Sequence, residues 1–406
     1  MSAPAPAARA GCSLARLGMA CSLGVDLDSI WQGLRQGDVS RLSPRDDLLR
    51  GDERLFGAVR EALPPIPAAL ARHDCRNNQL ALVAYEAIAD GVASALQRFG
   101  AERVGVVVGS STAGVAEGEA AVREKVASGR IPERFHPVQL EYGGLAEFVR
   151  DVSGARGPAY SLSTACSTGA KALVSARSLL DLGLCDAVVA GAVDSLCGLT
   201  ANGFGALQAL SSGISNPMSA TRDGLTLGEA AALFLMLRDP SGIQLLGAGE
   251  SSDAHHISAP DPDGAGAEAA MRAALADARC APGDIDYLNL HGTGTPHNDS
   301  MESRAVARVF PDGVPTSSTK PLVGHTLGAS GALEAGFCWL ILDRARDGGL
   351  DLPRHRYDGA PDPELPALDL VGPDARVEAG PAPRLMTNSF GFGGSNCTLV
   401  LGGAVG

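Results

Sequence analysis

A cysteine surrounded by small residues is the first candidate for chemistry. Cys166 lies in Ser163-Thr-Ala-Cys-Ser-Thr-Gly169, just before an alanine-rich stretch of helical length. A thiol at a helix N-terminus lies at the positive end of the helix dipole, which lowers its pKa and favours the thiolate. The small neighbours leave room for a substrate. The segment fits a nucleophile, and equally an inert small side chain at a crowded helix start.

A histidine follows at the end of a β-branched run. His291 lies in Asn289-Leu-His-Gly-Thr-Gly-Thr-Pro296. A single histidine at a strand end is more often structural than catalytic. The loop favours a ligand site, because Thr293 and Thr295 alternate with glycine and their hydroxyls can line a polar channel.

A lysine and a second histidine stand five residues apart in the next polar segment. Lys320 and His325 are followed by Glu334 on a predicted helix. A lysine beside a histidine that must stay neutral needs a carboxylate nearby, and Glu334 can reach back to supply it. A charged surface pair is the alternative, but the apolar neighbours favour burial.

Phe392 stands in the glycine-rich segment Thr387-Asn-Ser-Phe-Gly-Phe-Gly-Gly-Ser-Asn396. Its backbone N–H can stabilise an oxyanion, and its ring can move as a gate. A glycine-rich turn with a core phenylalanine is the alternative interpretation.

Alternating apolar runs predict the elements that position these residues. The predicted strands are 104–108, 187–189, 285–290 and 398–401. The predicted helices are 78–99, 169–182, 265–278 and 330–344. Strands that alternate with helices indicate an α/β fold with buried strands. Residues 38–55 and 351–384 are rich in Pro, Asp and Arg and predict surface connections.

Two segments of the chain echo one another. The segment from Cys166 to Leu173 resembles the one from His325 to Leu333, with Gly169 matching Gly328. This predicts a duplicated α/β unit that places Cys166 and His325 at equivalent helix starts, facing one another.

Composition narrows the class of protein. The 406 residues are 45% hydrophobic and carry a net charge of −13, which argues against a nucleic-acid-binding surface. No run of 18 apolar residues predicts a membrane span, and the N-terminal segment lacks a signal peptide's layout. Nine cysteines without paired spacing predict neither disulfides nor a metal site. We expect a cytoplasmic protein with a disordered tail at residues 1–10.

Taken together, Cys166, His291, Lys320, His325 and Phe392 stand in the order and spacing of the β-ketoacyl-ACP synthases. The chain resembles this family from about residue 77 onward. Further matching segments are Arg222–Glu229, Ser251–His256, and Asp299 with Glu302. The resemblance implies a thiolase-like fold whose duplicated unit forms a layered αβαβα core. It divides the chain into an N-terminal half, 11–245, with the nucleophile, and a C-terminal half, 246–406, with both histidines and the Gly-Phe-Gly-Gly loop.

The resemblance also implies a role for each site residue. Cys166 carries the acyl chain, His291 and His325 hold the enolate formed by decarboxylation of malonyl-ACP, and Lys320 with Glu334 tunes the site. The N–H groups of Cys166 and Phe392 form the oxyanion hole. The implied contacts to phosphopantetheine or substrate are Thr293, Thr295, Phe204, Phe392 and Thr112. Substrates arrive on the phosphopantetheine of an acyl carrier protein, and no metal or other cofactor is expected.

A narrower likeness is to the ketosynthases of aryl polyene and xanthomonadin-type pigment clusters. It rests on Arg76-Asn-Asn-Gln-Leu80, Gly109-Ser-Ser-Thr-Ala-Gly114 and Glu117-Gly-Glu119. Residues 12–24 replace the family's usual opening strand sequence.

Two departures from the family bear on its partners. Gln208 replaces an arginine near the carrier-protein site. Thr112 is small at a position that helps to close the acyl pocket at the dimer interface. Together with the pigment-cluster motifs, both favour a synthase that extends unsaturated chains as a dimer with a chain-length-factor-like homologue.

Three alternatives remain. A housekeeping fatty-acid elongation synthase would do the same chemistry on another chain. A non-catalytic chain-length partner would lack the nucleophile that this chain keeps. A thiolase acting on CoA esters would have a second catalytic cysteine, and Cys397 lies outside the Gly-Phe-Gly-Gly loop.

Overall fold

The computed structural model describes residues 11–403, so the predicted tail at residues 1–10 lies outside the described residues. The described strands are β1 (Ser13–Ala20), β2 (Ser43–Arg45), β3 (Arg54–Gly57), β4 (Val104–Gly109), β5 (Ala159–Leu162), β6 (Ala187–Asp194), β7 (Leu227–Gly228), β8 (Ala230–Leu237), β9 (Gln244–Ser252), β10 (Tyr287–Asn289), β11 (Thr316–Ser317), β12 (Gly349–Asp351), β13 (Arg376–Glu378), β14 (Arg384–Gly391) and β15 (Ser395–Gly402). The described helices are α1 (Leu27–Gln36), α2 (Arg76–Glu86), α3 (Ala89–Phe99), α4 (Val115–Ser128), α5 (Tyr142–Ser153), α6 (Thr168–Asp181), α7 (Gly198–Ala206), α8 (Ala265–Ala278), α9 (Pro296–Val309), α10 (Lys320–Val323) and α11 (Ser330–Asp343).

The main sheet is a mirror-ordered pair of five-stranded halves. Its order is β11-β10-β14-β15-β9-β1-β8-β6-β4-β5. In the N-terminal half, β4 pairs in parallel with β5 and β6, and β8 pairs antiparallel with β6 and β1. In the C-terminal half, β10 pairs in parallel with β11 and β14, and β15 pairs antiparallel with β14 and β9. Within the sheet, the halves are joined where β1 pairs with β9, at Ser13 and Gln244. The predicted duplication is therefore visible in the topology.

Side chains that alternate along the strands divide the core into layers. On β4, Val107 packs into the cluster that contains α6 and α11, whereas Val106 and Val108 pack into the cluster with α2, α3 and α5. On β15, Leu399 faces the α6–α11 layer and Val400 faces α8 and α9. Because strand neighbours point to opposite faces, each half of the sheet is covered on both sides. The result is the predicted αβαβα sandwich.

The central helices α6 and α11 pack closely through glycine. A Cβ on Gly169 would lie 2.5 Å from the Ala332 nitrogen, and a Cβ on Gly331 would lie 2.7 Å from the Ala170 nitrogen. Both glycines are the second residue of their helix, so Gly169 corresponds to Gly331. The sequence comparison matched Gly169 with Gly328, which lies three residues before the true counterpart Gly331. Gly-Ala pairs recur in both segments, so the echo could not separate the two registers.

Several predicted elements have different bounds. The predicted helix 78–99 is two helices, α2 and α3, bent by 70°. The predicted surface connections contain short strands: β2 and part of β3 in 38–55, and β13 in 351–384. Residues 12–24, despite their unusual sequence, contain the central strand β1. The predicted division at 245/246 falls just inside β9, and that boundary stays a prediction.

In residues 11–403 no single helix is long and apolar enough to cross a membrane, and by length and composition one bent pair, α2 with α3, meets the requirement jointly.

Candidate active site

Cys166 lies in a tight turn between β5 and α6. The turn is closed by Thr168, whose hydroxyl donates to the Ala165 carbonyl at 2.6 Å and accepts from the Thr164 N–H at 2.7 Å. Ala165 has a φ of +53°, a conformation that costs a non-glycine residue free energy. The turn holds the thiol two residues before the start of α6, and the side chain is buried.

Three N–H groups surround the sulfur of Cys166. His325 Nε2 lies 3.2 Å from Sγ, and the backbone N–H groups of Phe392 and Cys166 also contact the sulfur. Burial nevertheless raises the pKa of the Cys166 thiol to about 11, although the Lys320 charge and these N–H groups lower it. The expectation of a lowered pKa is therefore wrong, because desolvation by the surrounding layers outweighs the favourable dipoles.

His325 is held as a hydrogen-bond donor. Its backbone N–H donates to the Thr226 carbonyl at 2.6 Å and its carbonyl accepts from the Gly228 N–H at 3.0 Å. Its Nδ1 accepts from the Leu327 N–H at 3.1 Å, which places the proton of the neutral ring on Nε2. Burial and the Lys320 charge hold the pKa of His325 well below its ordinary value. The ring is therefore neutral at pH 7, with Nε2–H directed at Cys166.

His291 is arranged in the same way by a buried ion pair. Lys320 Nζ lies 2.5 Å from Glu334 Oε1 and 3.4 Å from His291 Nδ1. An ammonium group can only donate, so Nδ1 of His291 accepts and its Nε2 carries the proton. Burial, with the charges of Lys320 and His325, holds the pKa of His291 well below its ordinary value. Burial raises the pKa of Glu334 to about 7, against the attraction of Lys320.

The two rings form a perpendicular pair above the sulfur. The centroids of His291 and His325 lie 5.4 Å apart at an interplanar angle of 86°. Phe390 packs edge-on against His291 with centroids 6.0 Å apart. Cys166 and His325 therefore face one another as predicted. They do not occupy equivalent helix starts, since a 3₁₀ turn from Leu327 to Ala329 separates His325 from α11.

A buried carboxylate fixes the loop that carries His291. Glu302 on α9 accepts from the His291 N–H at 2.8 Å and the Gly292 N–H at 2.7 Å. Burial raises the pKa of Glu302 to about 7, while these N–H groups lower it. The family resemblance includes Glu302 but does not assign it this role. An acid in the second turn of a helix that follows a glycine loop was the available signal.

A cavity of about 260 Å³ opens onto the catalytic side chains. Its walls include the predicted residues Cys166, His291, His325, Thr293, Thr295, Phe204 and Phe392. Thr293 Oγ1 and Thr295 Oγ1 lie 2.9 Å apart on one side. On the other side the rings of Phe204 and Phe392 pack with centroids 5.6 Å apart, and Phe392 remains 38% exposed. The cavity therefore has an apolar wall and a hydroxyl-bearing wall.

Thr112 lies elsewhere. It is buried, its hydroxyl donates to Asp194 at 2.9 Å, and it accepts from the Ser195 N–H at 3.1 Å. Among the residues that the structure describes, Thr112 does not belong to the wall of the catalytic cavity. Its contribution to an acyl pocket between subunits stays a prediction. Gln208 is exposed just after α7, between Leu207 and Ala209, which line the cavity.

Asp194 is a further residue that sequence reasoning missed. One carboxylate oxygen accepts from Ser110, Ser111 and Thr112, and the other accepts from the Gly328 N–H at 2.6 Å. It therefore joins the loop after β4 to the segment that follows His325. The signal was an acidic residue at the end of an otherwise apolar strand.

The side chains of Cys166, His291 and His325 are also of the types that bind metal ions. The sulfur of Cys166 and a nitrogen from each of His291 and His325 lie within 4.8 Å of one another, and zinc accepts such ligands. Both Nδ1 atoms accept hydrogen bonds, so both Nε2 atoms carry protons. Nitrogen without a free lone pair cannot bind a cation, so the arrangement favours donation to a substrate oxygen.

The fold and the site together define a condensing acyltransferase of the thiolase-like class. Residues 16–241 match the family model "Beta-ketoacyl synthase, N-terminal domain" and residues 243–346 match "Beta-ketoacyl synthase, C-terminal domain". The chain belongs to the β-ketoacyl synthase family, as the sequence analysis predicted.

Three similar proteins span nearly the whole chain. It is 31% identical to 3-oxoacyl-[acyl-carrier-protein] synthase 2 of Staphylococcus aureus, over 95% of this chain and 98% of that protein. It is 41% identical to the ketosynthase ApeO, solved in complex with its chain length factor ApeC from Xenorhabdus doucetiae, with a TM-score of 0.93 and full coverage of both chains. It is 27% identical to a chain of the ishigamide ketosynthase/chain length factor, with a TM-score of 0.84 and coverage of 98% and 100%.

Proposed function

We propose that this protein is the catalytic subunit of a 3-oxoacyl-ACP synthase that extends an acyl chain on Cys166 by decarboxylative condensation with malonyl-ACP. The observation that carries the proposal is the convergence of two neutral histidines, each with its proton on Nε2, at the sulfur of a buried cysteine. Two fixed donors suit an oxygen that becomes negative during the reaction. No resident metal or redox cofactor enters the scheme.

The first half-reaction transfers the acyl group to the enzyme. The Cys166 sulfur attacks the thioester carbon, and the N–H groups of Cys166 and Phe392 hold the negative oxygen of the tetrahedral intermediate. The carbon–sulfur bond to phosphopantetheine breaks, and the proton of the Cys166 thiol passes to the departing pantetheine sulfur. Net charge is unchanged, so a thiol with a pKa of about 11 can complete this exchange.

The second half-reaction forms the carbon–carbon bond. The pantetheine arm of malonyl-ACP enters beside Thr293 and Thr295, and the thioester oxygen lies against the Nε2–H groups of His291 and His325. Loss of carbon dioxide leaves an enolate on that oxygen, and its carbon attacks the acyl group on Cys166. The Cys166 sulfur leaves as a thiolate and takes up one proton from the solvent. That proton balances the negative charge that the malonyl carboxylate brought and that remained when neutral carbon dioxide departed. Lys320, held by Glu334, keeps His291 in the donating tautomer.

The same proposal extends to pathway and partner. The 41% identity to ApeO over the whole chain, with the segments at Arg76 and Glu117, supports an aryl polyene-type pathway and a pairing with a chain-length-factor-like subunit. In this structure β5 is one of the two edge strands of the main sheet. Large apolar side chains are also exposed on α4, α5 and α7 and just before α5: Val122, Val126, Leu140, Tyr142 and Leu199. A partner would cover such a surface.

One chain-extension assay tests the chemistry and the pairing together. The protein, co-expressed with a synthase-like subunit encoded beside it, should co-elute with it and extend polyene acyl carriers faster than the protein alone. Cys166→Ala is the control, since it should keep the complex and lose the acyl-enzyme seen by intact-protein mass spectrometry. A self-paired enzyme that prefers saturated chains would instead identify a fatty-acid elongation synthase. Acyl uptake by Cys166→Ala would refute the nucleophile.

A further inference from the structure

Helix α7 separates the catalytic cavity from a second space. Phe204 on α7 lines the catalytic cavity. Leu199 and Asn202, on the same helix, line an open groove of about 820 Å³ that α4 and residues 47–50 complete. The helix is therefore a shared wall, and a shift of α7 changes the space around the acyl chain.

The sequence of α7 gives this wall little stability of its own. Three of its nine residues are glycine, Gly198, Gly203 and Gly205. Each glycine inside a helix costs about 1 kcal/mol relative to alanine. The preceding residue, Cys197, offers the first turn only its sulfur, a weak acceptor, which contacts the Thr200 hydroxyl at 3.3 Å and the Thr200 N–H. The first N–H groups of a helix lack partners within it, so they must find acceptors elsewhere.

Glu119 on α4 supplies these acceptors. Its Oε1 accepts from the Leu199 N–H at 2.6 Å and its Oε2 accepts from the Gly198 N–H at 3.1 Å. A Cβ on Gly198 would lie 3.0 Å from Oε2, so glycine lets the carboxylate approach the helix end. A carboxylate at this end also interacts favourably with the helix dipole. Glu119 thus caps α7 from another helix, and its side chain is 25% exposed.

The far end of α7 contacts the reacting groups. The Phe204 ring packs on Phe392, whose N–H contacts the Cys166 sulfur. The Phe204 carbonyl accepts from the Ala209 N–H at 3.0 Å, which ties this ring to the segment that follows the helix. Loss of the cap at the first turn would therefore displace the aromatic wall beside the acyl chain.

We propose that Glu119 is a positioning residue that sets acyl-chain selectivity by capping α7 and thereby fixing Phe204 against Phe392. The inference rests on the proposed function and adds a residue to it that makes no contact with the cavity. It also gives a physical role to the Glu117-Gly-Glu119 motif, because only one of these two acids reaches α7. Glu117 instead accepts from the Arg76 N–H at 2.8 Å.

A double-mutant cycle on the wild-type partner complex tests this inference. The measured quantity is the ratio of kcat/KM values for a long and a short acyl carrier. Glu119→Ala and Phe204→Ala should each change this ratio about fivefold or more, and the double variant should match Phe204→Ala alone. Glu119→Gln, which keeps one acceptor oxygen, should give an intermediate ratio. Lys125→Ala, further along α4 and exposed, is the matched control with an unchanged ratio.

The outcomes separate this inference from the proposed function. A wild-type complex that condenses no acyl carrier refutes the proposed function and, with it, this inference. If the wild-type complex is active and Glu119→Ala lowers kcat/KM equally for the long and the short acyl carrier, the inference alone is refuted. Additive effects of Glu119→Ala and Phe204→Ala on the ratio would do the same, since they would show that Glu119 does not act through Phe204.

Discussion

Two opposing effects act on the thiol of Cys166. The start of α6, the Lys320 charge and the N–H groups at the sulfur favour the thiolate, whereas complete burial favours the thiol. The motif around Cys166 made a candidate nucleophile recognisable, because small residues before a helix can be recognised locally. Its pKa was not predictable, because the side chains that bury it belong to segments far away in sequence.

The pH dependence of Cys166 alkylation tests this balance. The pKa is raised to about 11, so the thiolate fraction should grow about tenfold per pH unit between about pH 7 and 10. The rate of modification by iodoacetamide, followed by mass spectrometry of the Cys166 peptide, should rise with it. Cys280, which is half-buried and lies outside the site, provides an internal reference in the same digest. A Cys166 rate that is already constant near neutral pH would show that the dipoles outweigh burial.

The packing of the central helices α6 and α11 determines the distances within the site. α6 begins two residues after Cys166 and α11 contains Glu334, so the close contact at Gly169 and Gly331 sets the distance between nucleophile and ion pair. The sequence predicted both helices to within a residue at each end. The register between them could not be predicted, since it depends on which glycine lacks room for a Cβ.

Gly331→Ala should therefore destabilise the protein. The added methyl group would lie 2.7 Å from the Ala170 nitrogen and 2.8 Å from Ser389 Oγ, and overpacking of this kind costs about 1–3 kcal/mol. Gly143→Ala is the matched control, because Gly143 also lies in the first turn of a helix and nothing lies within 4 Å of its added Cβ. Urea unfolding of the two variants gives the comparison. Equal midpoints would contradict the packing argument.

The contacts that Glu119 and Asp194 make with distant elements were beyond sequence reasoning. Glu119 reaches α7 across 79 residues, and Asp194 reaches Gly328 across 134. Carboxylates at these positions look like ordinary polar residues in the chain. Their partners are backbone N–H groups, which every residue except proline possesses, so no residue type identifies them.

At the scale of the whole molecule, the proposed reaction is divided between the two halves. The N-terminal half supplies Cys166 and the wall at Phe204, and the C-terminal half supplies both histidines and the proposed oxyanion loop at Phe392. The mirror order of the main sheet brings the corresponding loops to one cavity. This division predicts that acyl loading and decarboxylation can be separated by substitution in one half.

The most direct test is the behaviour of His291→Ala in the two half-reactions. The variant should take up the acyl group on Cys166 at a rate close to that of the wild type, since within the described residues the sulfur is hydrogen-bonded to the His325 ring and not to the His291 ring. It should lose condensation with malonyl-ACP by about a hundredfold or more, because one of two donors to the enolate oxygen is missing. Intact-protein mass spectrometry follows the acyl-enzyme, and the mass of the carrier protein follows 3-oxoacyl-ACP. Wild-type condensation by His291→Ala, or equal loss of both steps, would contradict the account.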